Sequence, residues 1–302
     1  MSLYYQPSNK MPLGGALLFL LVGTAAAVLL ALVYVYAVWY IPFVYINFFI
    51  CVGFGFVLGA VLMTLVRLGK LRNPRAVAGL GLLVGLAAVY LEWGVFLTLL
   101  FNAKAEGTGR DADTSTSFST GLFADIVSHP RAMWEAMLHI NATGTWSLKG
   151  STATGWFLWV IWGIEVLIIV GSACLLARSQ ATDPFSESTN QWADEEALAH
   201  PVCFAADADA TRKALETGQF NTLMPHPMES AEASFARLKL HCVPNDTTCQ
   251  YLTLENVTTT VDDKGKAKET TATVVQHLTI SAATCQDLKA RFGMVPVAAE
   301  PA

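Results

Sequence analysis

The sequence predicts an α-helical membrane bundle of four transmembrane helices, followed by a small soluble α+β domain with an antiparallel sheet. Three observations carry this. Of the 302 residues 53% are hydrophobic and only 14% charged, and mean hydropathy is +0.44, more apolar than a soluble domain tolerates. Four apolar runs are each long enough to cross a hydrocarbon core of about 30 Å. Beyond Arg178 those runs stop, and polar sequence with period-two alternation replaces them. The formal charge of −5 comes with no basic stripe, so nucleic acid is not an expected partner, whereas the lipid bilayer is.

Residues 1–178 read as the membrane domain. Pro12 suits the first turn of a helix, and 13–36 is the first span. Tyr34, Tyr36, Trp39 and Tyr40 gather at its far end as an aromatic belt would. Pro42 breaks the chain, so the second span, 43–66, follows through a tight hairpin. The first apolar run is too long for a secretory signal core, and no cleavage site follows it. Arg67, Lys70, Arg72 and Arg75 then fall within one short segment before the third span, 76–101. This is the densest positive cluster in the chain, and the positive-inside rule makes it a topology determinant. The N- and C-termini are then expected in the cytoplasm of a bacterial inner (plasma) membrane.

The segment 102–155 is expected on the extracytoplasmic side. Its first part is rich in Gly, Ser, Thr and Asp and reads as loop. Its second part spaces Leu122, Ile126, Met133, Trp134, Met137 and Leu138 as one short amphipathic helix, lying on the membrane or capping the bundle. The fourth span, 156–177, returns the chain, with Arg178 as its anchor. Gly55 and Gly59 in the second span and Gly81 and Gly85 in the third have the spacing that lets backbones approach. They suggest that these two spans pack as a hairpin.

Glu92 and Glu165 are the acids within the spans. Each lies about nine residues from the expected extracytoplasmic end of its helix, roughly 13 Å deep at ~1.5 Å per residue. A charge at that depth costs at least a few kcal/mol and needs a partner or a function. Two neighbouring antiparallel helices can bring the carboxyls to one level, where the pair would handle a proton or cation. The structural alternative makes each a neutral acid bonded to Tyr90, Thr98 or an indole N–H. The absence of Lys, Arg, His or further acids in the spans favours that alternative, as does the absence of interrupted helices or an internal repeat.

Residues 179–302 read as a cytoplasmic α+β domain. A helix over 207–216 has Asp207 or Asp209 as its cap and Gly218 as its stop. Strands are expected over 234–243, 251–261 and 271–280, the last two joined by a turn at Asp263–Gly265. A helix over 284–292 closes the domain. Cys203, Cys242, Cys249 and Cys285 lie here; a cytoplasmic location favours reduced thiols. Cys242 and Cys249 are the close pair in sequence and the candidate metal or thiol site, more widely spaced than a zinc knuckle. His241 would point to the opposite sheet face from Cys242.

Five stretches carry a resemblance: His129-Pro130, 140–150 (INATGTWSLKG), 155–165 (GWFLWVIWGIE), 184–192 (PFSESTNQW) and 240–249 (LHCVPNDTTC). In these the chain resembles poorly characterised bacterial inner-membrane proteins with several spans and a small C-terminal cytoplasmic domain. The resemblance implies a PFCxxC stretch and a Cys-Pro-x-Cys knuckle forming a zinc-ribbon-like clip. Ser186 and Thr189 stand where the first two thiols would fall, and the second pair is stretched, so the pattern is degenerate and no cofactor is expected.

No nucleophile elbow, metalloprotease helix, P-loop or dinucleotide fingerprint is present, so an enzyme is not expected. The leading expectation is a non-enzymatic membrane protein whose soluble domain binds another protein as a scaffold or sensor. Its strand over 271–280 would offer an edge to that partner. The alternative is a proton- or cation-coupled transport or channel component built on Glu92 and Glu165.

Overall fold

The computed structural model describes residues 2–41, 43–106, 113–144, 147–148, 151–226, 234–243, 246–261 and 267–293. It divides into two compact units, Ser8–Thr182 and a second made of Met1–Pro7 with Asp183–Ala302. The first seven residues therefore belong with the C-terminal part of the chain, and the sequence boundary at 178/179 moves a few residues on.

The Ser8–Thr182 unit is built on four helices long and apolar enough to cross a membrane. They are α1 (Leu13–Tyr40), α2 (Val44–Gly69), α3 (Pro74–Phe101) and α6 (Trp156–Gln180). Each is apolar all round, so sequence periodicity does not say which side faces inward. Leu21, Phe49 and Leu167 stay largely exposed, a surface suited to acyl chains. The α2–α3 turn is closed by Lys70 in the left-handed region at φ 50°. Asn73 then caps α3 by accepting from the Ala76 N–H at 3.0 Å, with Pro74 in the first turn.

α2 and α3 each pack against both α1 and α6. The four spaced glycines do not zip α2 to α3; all four face α6. A Cβ on Gly59 would sit 2.8 Å from the Ser172 carbonyl oxygen, and one on Gly81 would sit 2.8 Å from that of Ala173. Gly55 and Gly85 likewise meet α6 backbone, at Ile168 and Val170. The expected hairpin seam is corrected accordingly: the glycines let α6 sink between α2 and α3, where small residues allow backbone contact.

Between α3 and α6 the expected single amphipathic helix is two, α4 (Thr120–Ser128) and α5 (Pro130–Thr143). Pro130 cannot continue α4 but starts α5, and His129 lies between them. Ile126, Met133 and Ile140 of this pair pack with Leu97 of α3. Two short hairpins flank it, β1 (Lys104–Glu106) with β2 (Asp113–Ser115) and β3 (Ser147–Leu148) with β4 (Ser151–Thr152). Residues 107–112 of the expected loop lie outside the described residues. Buried Asn141 ties α5 to the start of α6: its side-chain amide donates to the Gly155 carbonyl, and its backbone carbonyl accepts the Gly155 N–H, both at 2.9 Å.

The second unit is a four-stranded antiparallel sheet, β10-β9-β8-β7, with two helices. Its strands are β7 (Asp194–Ala197), β8 (Ser234–Val243), β9 (Asp246–Val261) and β10 (Ala267–Thr279); a small hairpin of β5 (Phe185–Ser186) and β6 (Gln191–Trp192) precedes them. The turn expected at 263–265 lies outside the described residues. Ala236, Leu238 and Leu240 alternate into the core. There they meet Leu215 of α7 (Ala208–Glu216) and Leu288 and Phe292 of α8 (Ala282–Phe292). Asp207 caps α7 by accepting from Ala210 N–H at 2.9 Å, and Gly218 follows at φ 80°.

The chain's own N-terminus lies against β10. Tyr5 N–H donates to the His277 carbonyl at 3.0 Å and Thr279 N–H to that of Leu3 at 2.9 Å, while Tyr4 OH reaches Glu216 Oε1 at 2.5 Å. The edge expected to be open over 271–280 is thus covered at its C-terminal end. Among the described residues, the stretch before it pairs only with β9.

Candidate functional site

Glu92 on α3 and Glu165 on α6 line one cavity of about 600 Å³ within the helical unit. Glu165 has a partner that its own helix does not supply, because Tyr34 of α1 donates its hydroxyl to Glu165 Oε1 at 3.2 Å. No side-chain hydrogen bond reaches Glu92 among the described residues. Two of the expected structural partners are engaged elsewhere: Tyr90 OH donates to the Val127 carbonyl at 2.6 Å, and Thr98 OH to that of Gly94 at 2.7 Å. Both acids therefore keep acceptor capacity for whatever enters the cavity.

The cavity wall is aromatic. Trp93 and Trp162 meet edge to face with centroids 4.7 Å apart, and Trp162 continues to Trp159 at 5.1 Å. Phe96 joins Trp93 at 5.7 Å and Trp39 of α1 at 6.2 Å. Such T-shaped pairs fix ring positions beyond what area burial does. Phe48, Cys51 and Asn47 come from α2, and Ile140 of α5 adds an apolar contribution. Asn47 Oδ1 is buried there without a hydrogen-bond partner. The acids, with their matching depth, were visible in the sequence. Tyr34, Trp39, Asn47 and Phe48 were not assigned to the site, since only the rotation of α1 and α2 about their axes brings them in.

The remaining residues singled out from sequence fall elsewhere. Arg67 lies in the last turn of α2 and Arg75 in the first turn of α3, both exposed. Lys70 makes the turn, and Arg72 is buried, its Nε donating to the Lys70 carbonyl at 3.1 Å. Cys242 on β8 meets Cys285 on α8, with sulfurs 3.2 Å apart. The Cys249 side chain lies outside the described residues. Burial and the Cys285 sulfur push the Cys242 thiol up to about 12, so it carries little thiolate at neutral pH. His241 lies on the opposite face from Cys242, its ring 4.6 Å from that of His277.

At the degenerate cysteine stretch, Ser186 and Ser188 both donate to Asp246 Oδ2, the latter at 2.7 Å. Thr248 OH donates to Asp246 Oδ1 at 2.6 Å. These hydroxyls hold the Asp246 carboxylate well below the usual carboxylate range. Among the described residues no three His, Cys, Asp or Glu side chains gather as a metal site would need. Ser186 is thus brought to Asp246 at the start of β9.

The fold and the cavity define a membrane protein with four span-length helices, an acid pair among aromatic rings, and a separate sheet domain. Compared with known proteins, the chain matches no family model, no curated protein and no solved structure.

Proposed function

We propose that the helical unit handles protons or cations through Glu92 and Glu165, as a transport or channel component. The observation that carries this is the placement of both carboxylates on one cavity with, among the described residues, a single side-chain hydrogen bond to them, from Tyr34. Two like charges out of water repel, and a shared proton or an entering cation relieves that repulsion. An acid kept only for packing would have its oxygens bonded to neighbours, whereas among the described residues no side-chain hydrogen bond reaches Glu92. Its neighbours on α3 that could have bonded it, Tyr90 and Thr98, are already committed. Reconstituted into vesicles under a pH gradient, the protein is expected to dissipate that gradient, and Glu165→Gln to slow this by roughly tenfold or more. Unchanged flux in a folded Glu92→Gln/Glu165→Gln variant would reject the reading.

A second reading keeps the sheet unit as a protein-binding scaffold or sensor. What favours it is the open stretch of β10, where Lys268–Thr273 is exposed and pairs on one side only among the described residues. A partner strand would extend the sheet there. For orientation, the basic residues flanking the α2–α3 turn support a cytoplasmic placement of that turn and of both termini, in a bacterial inner membrane.

A further inference from the structure

We infer that the cavity takes a bulky organic cation, a protonated or quaternary amine carried on an aromatic or aliphatic body. The inference rests on the proposed cation-handling role of Glu92 and Glu165 and names its substrate class. Size comes first. A proton or an alkali ion needs space for a few waters, at about 30 Å³ each, whereas this cavity offers about 600 Å³. That lies within the range of sites for drug-sized molecules, roughly 300–1,000 Å³.

The lining sets the sign of the charge. No Lys, Arg or His contributes to it among the described residues, and its titratable groups are Glu92, Glu165, Tyr34 and Cys51. The Tyr34 hydroxyl proton is already given to Glu165. The two carboxylates and Asn47 Oδ1 are acceptors, the last buried and without a partner. An anion would be repelled by the two carboxylates, and a neutral ligand would leave their charge uncompensated. Rings of Tyr34, Trp39, Phe48, Trp93, Phe96 and Trp162 share the remaining wall with aliphatic side chains such as Val38, Leu158 and Ile161. Their faces attract a cation by about 0.5–2 kcal/mol each where it is desolvated, and they accept the apolar body of the same molecule. An inorganic ion would leave that ring surface unused.

The test uses two probes of matched shape and opposite charge, tetraphenylphosphonium and tetraphenylborate. They are titrated calorimetrically into the full-length protein in nanodiscs, with empty nanodiscs as the blank. The cation is expected to bind at least about tenfold more tightly than the anion. Acidifying the medium should weaken it, as protons compete for the carboxylates. Glu92→Gln/Glu165→Gln should lose at least about tenfold of the cation affinity. Should that variant not fold, Trp162→Ala with both acids retained is the second arm, with a loss of several-fold expected. Equal affinity for the two probes, or cation binding indifferent both to pH and to the variants, overturns the inference. Vesicle flux that depends on Glu165 in a protein that does not bind the phosphonium overturns the substrate class and leaves the proton-handling role standing. Loss of both removes both.

Discussion

His277 shows how a single residue can couple the sheet unit to pH. It sits in the left-handed region at φ 52°, its N–H donates to Thr253 Oγ1 at 3.2 Å, and Tyr5 packs on its ring. Burial, aided by His241, pushes its imidazole down to about 4. An unfolded chain then takes up a proton near pH 6.5 that the folded unit refuses until about pH 4. Stability is therefore full above the unfolded value and falls as acid moves through that window, by a few kcal/mol at most. His241, also lowered by burial, adds in the same direction. His277→Asn, which tolerates the left-handed backbone, is expected to flatten the pH dependence of chemical denaturation between those limits. An equally steep dependence in the variant would show that His277 is not its source.

Helices and strands differ in how much of their packing the sequence disclosed. The four spans were legible because length and hydropathy alone define them, and each helix overlaps its expected range. That Glu92 and Glu165 both face one cavity was within reach too, by counting from the ends of α3 and α6. Helix faces were not, because an all-apolar helix has no periodic signal to fix its rotation; hence the glycines were assigned to the wrong neighbour. Gly81→Val tests the corrected seam. Its side chain would meet the Ala173 carbonyl of α6, and overpacking of that kind costs about 1–3 kcal/mol or more. Gly79→Val on the same helix has nothing within 4 Å of its added Cβ and should be near neutral in thermal unfolding. Equal effects of the two would contradict the α6 contact. Strand β7 was missed for another reason: its DEEA sequence is charged and lacks β-branched residues, so only pairing with Leu240 and His241 on β8 makes it a strand. Such acidic side chains also guard a sheet edge against further pairing.

At the scale of the whole molecule, residues 3–5 join the sheet unit formed by the C-terminal part of the chain, which no local pattern could announce. Tyr4 bonds Glu216 across more than two hundred residues of sequence, and Leu3 and Tyr5 complete the edge of β10. Removing residues 2–7 should bare that edge and lower the stability of the sheet unit by a few kcal/mol, through the lost hydrogen bonds and the Tyr5–Tyr251 contact. Hydrogen exchange at Thr279 is the readout, and unchanged protection there would refute the contact. The expected candidate site was legible as a pair of acids and no further, since Tyr34, Trp39, Asn47 and Phe48 arrive from α1 and α2 through tertiary packing alone. Its central claim is that Glu92 and Glu165 exchange a proton for a cation. Proton release on adding tetraphenylphosphonium to the purified, lightly buffered protein tests this most directly. The wild-type chain should release protons and the Glu92→Gln/Glu165→Gln variant should release none; no release from the wild type, or the same release from both, would contradict it.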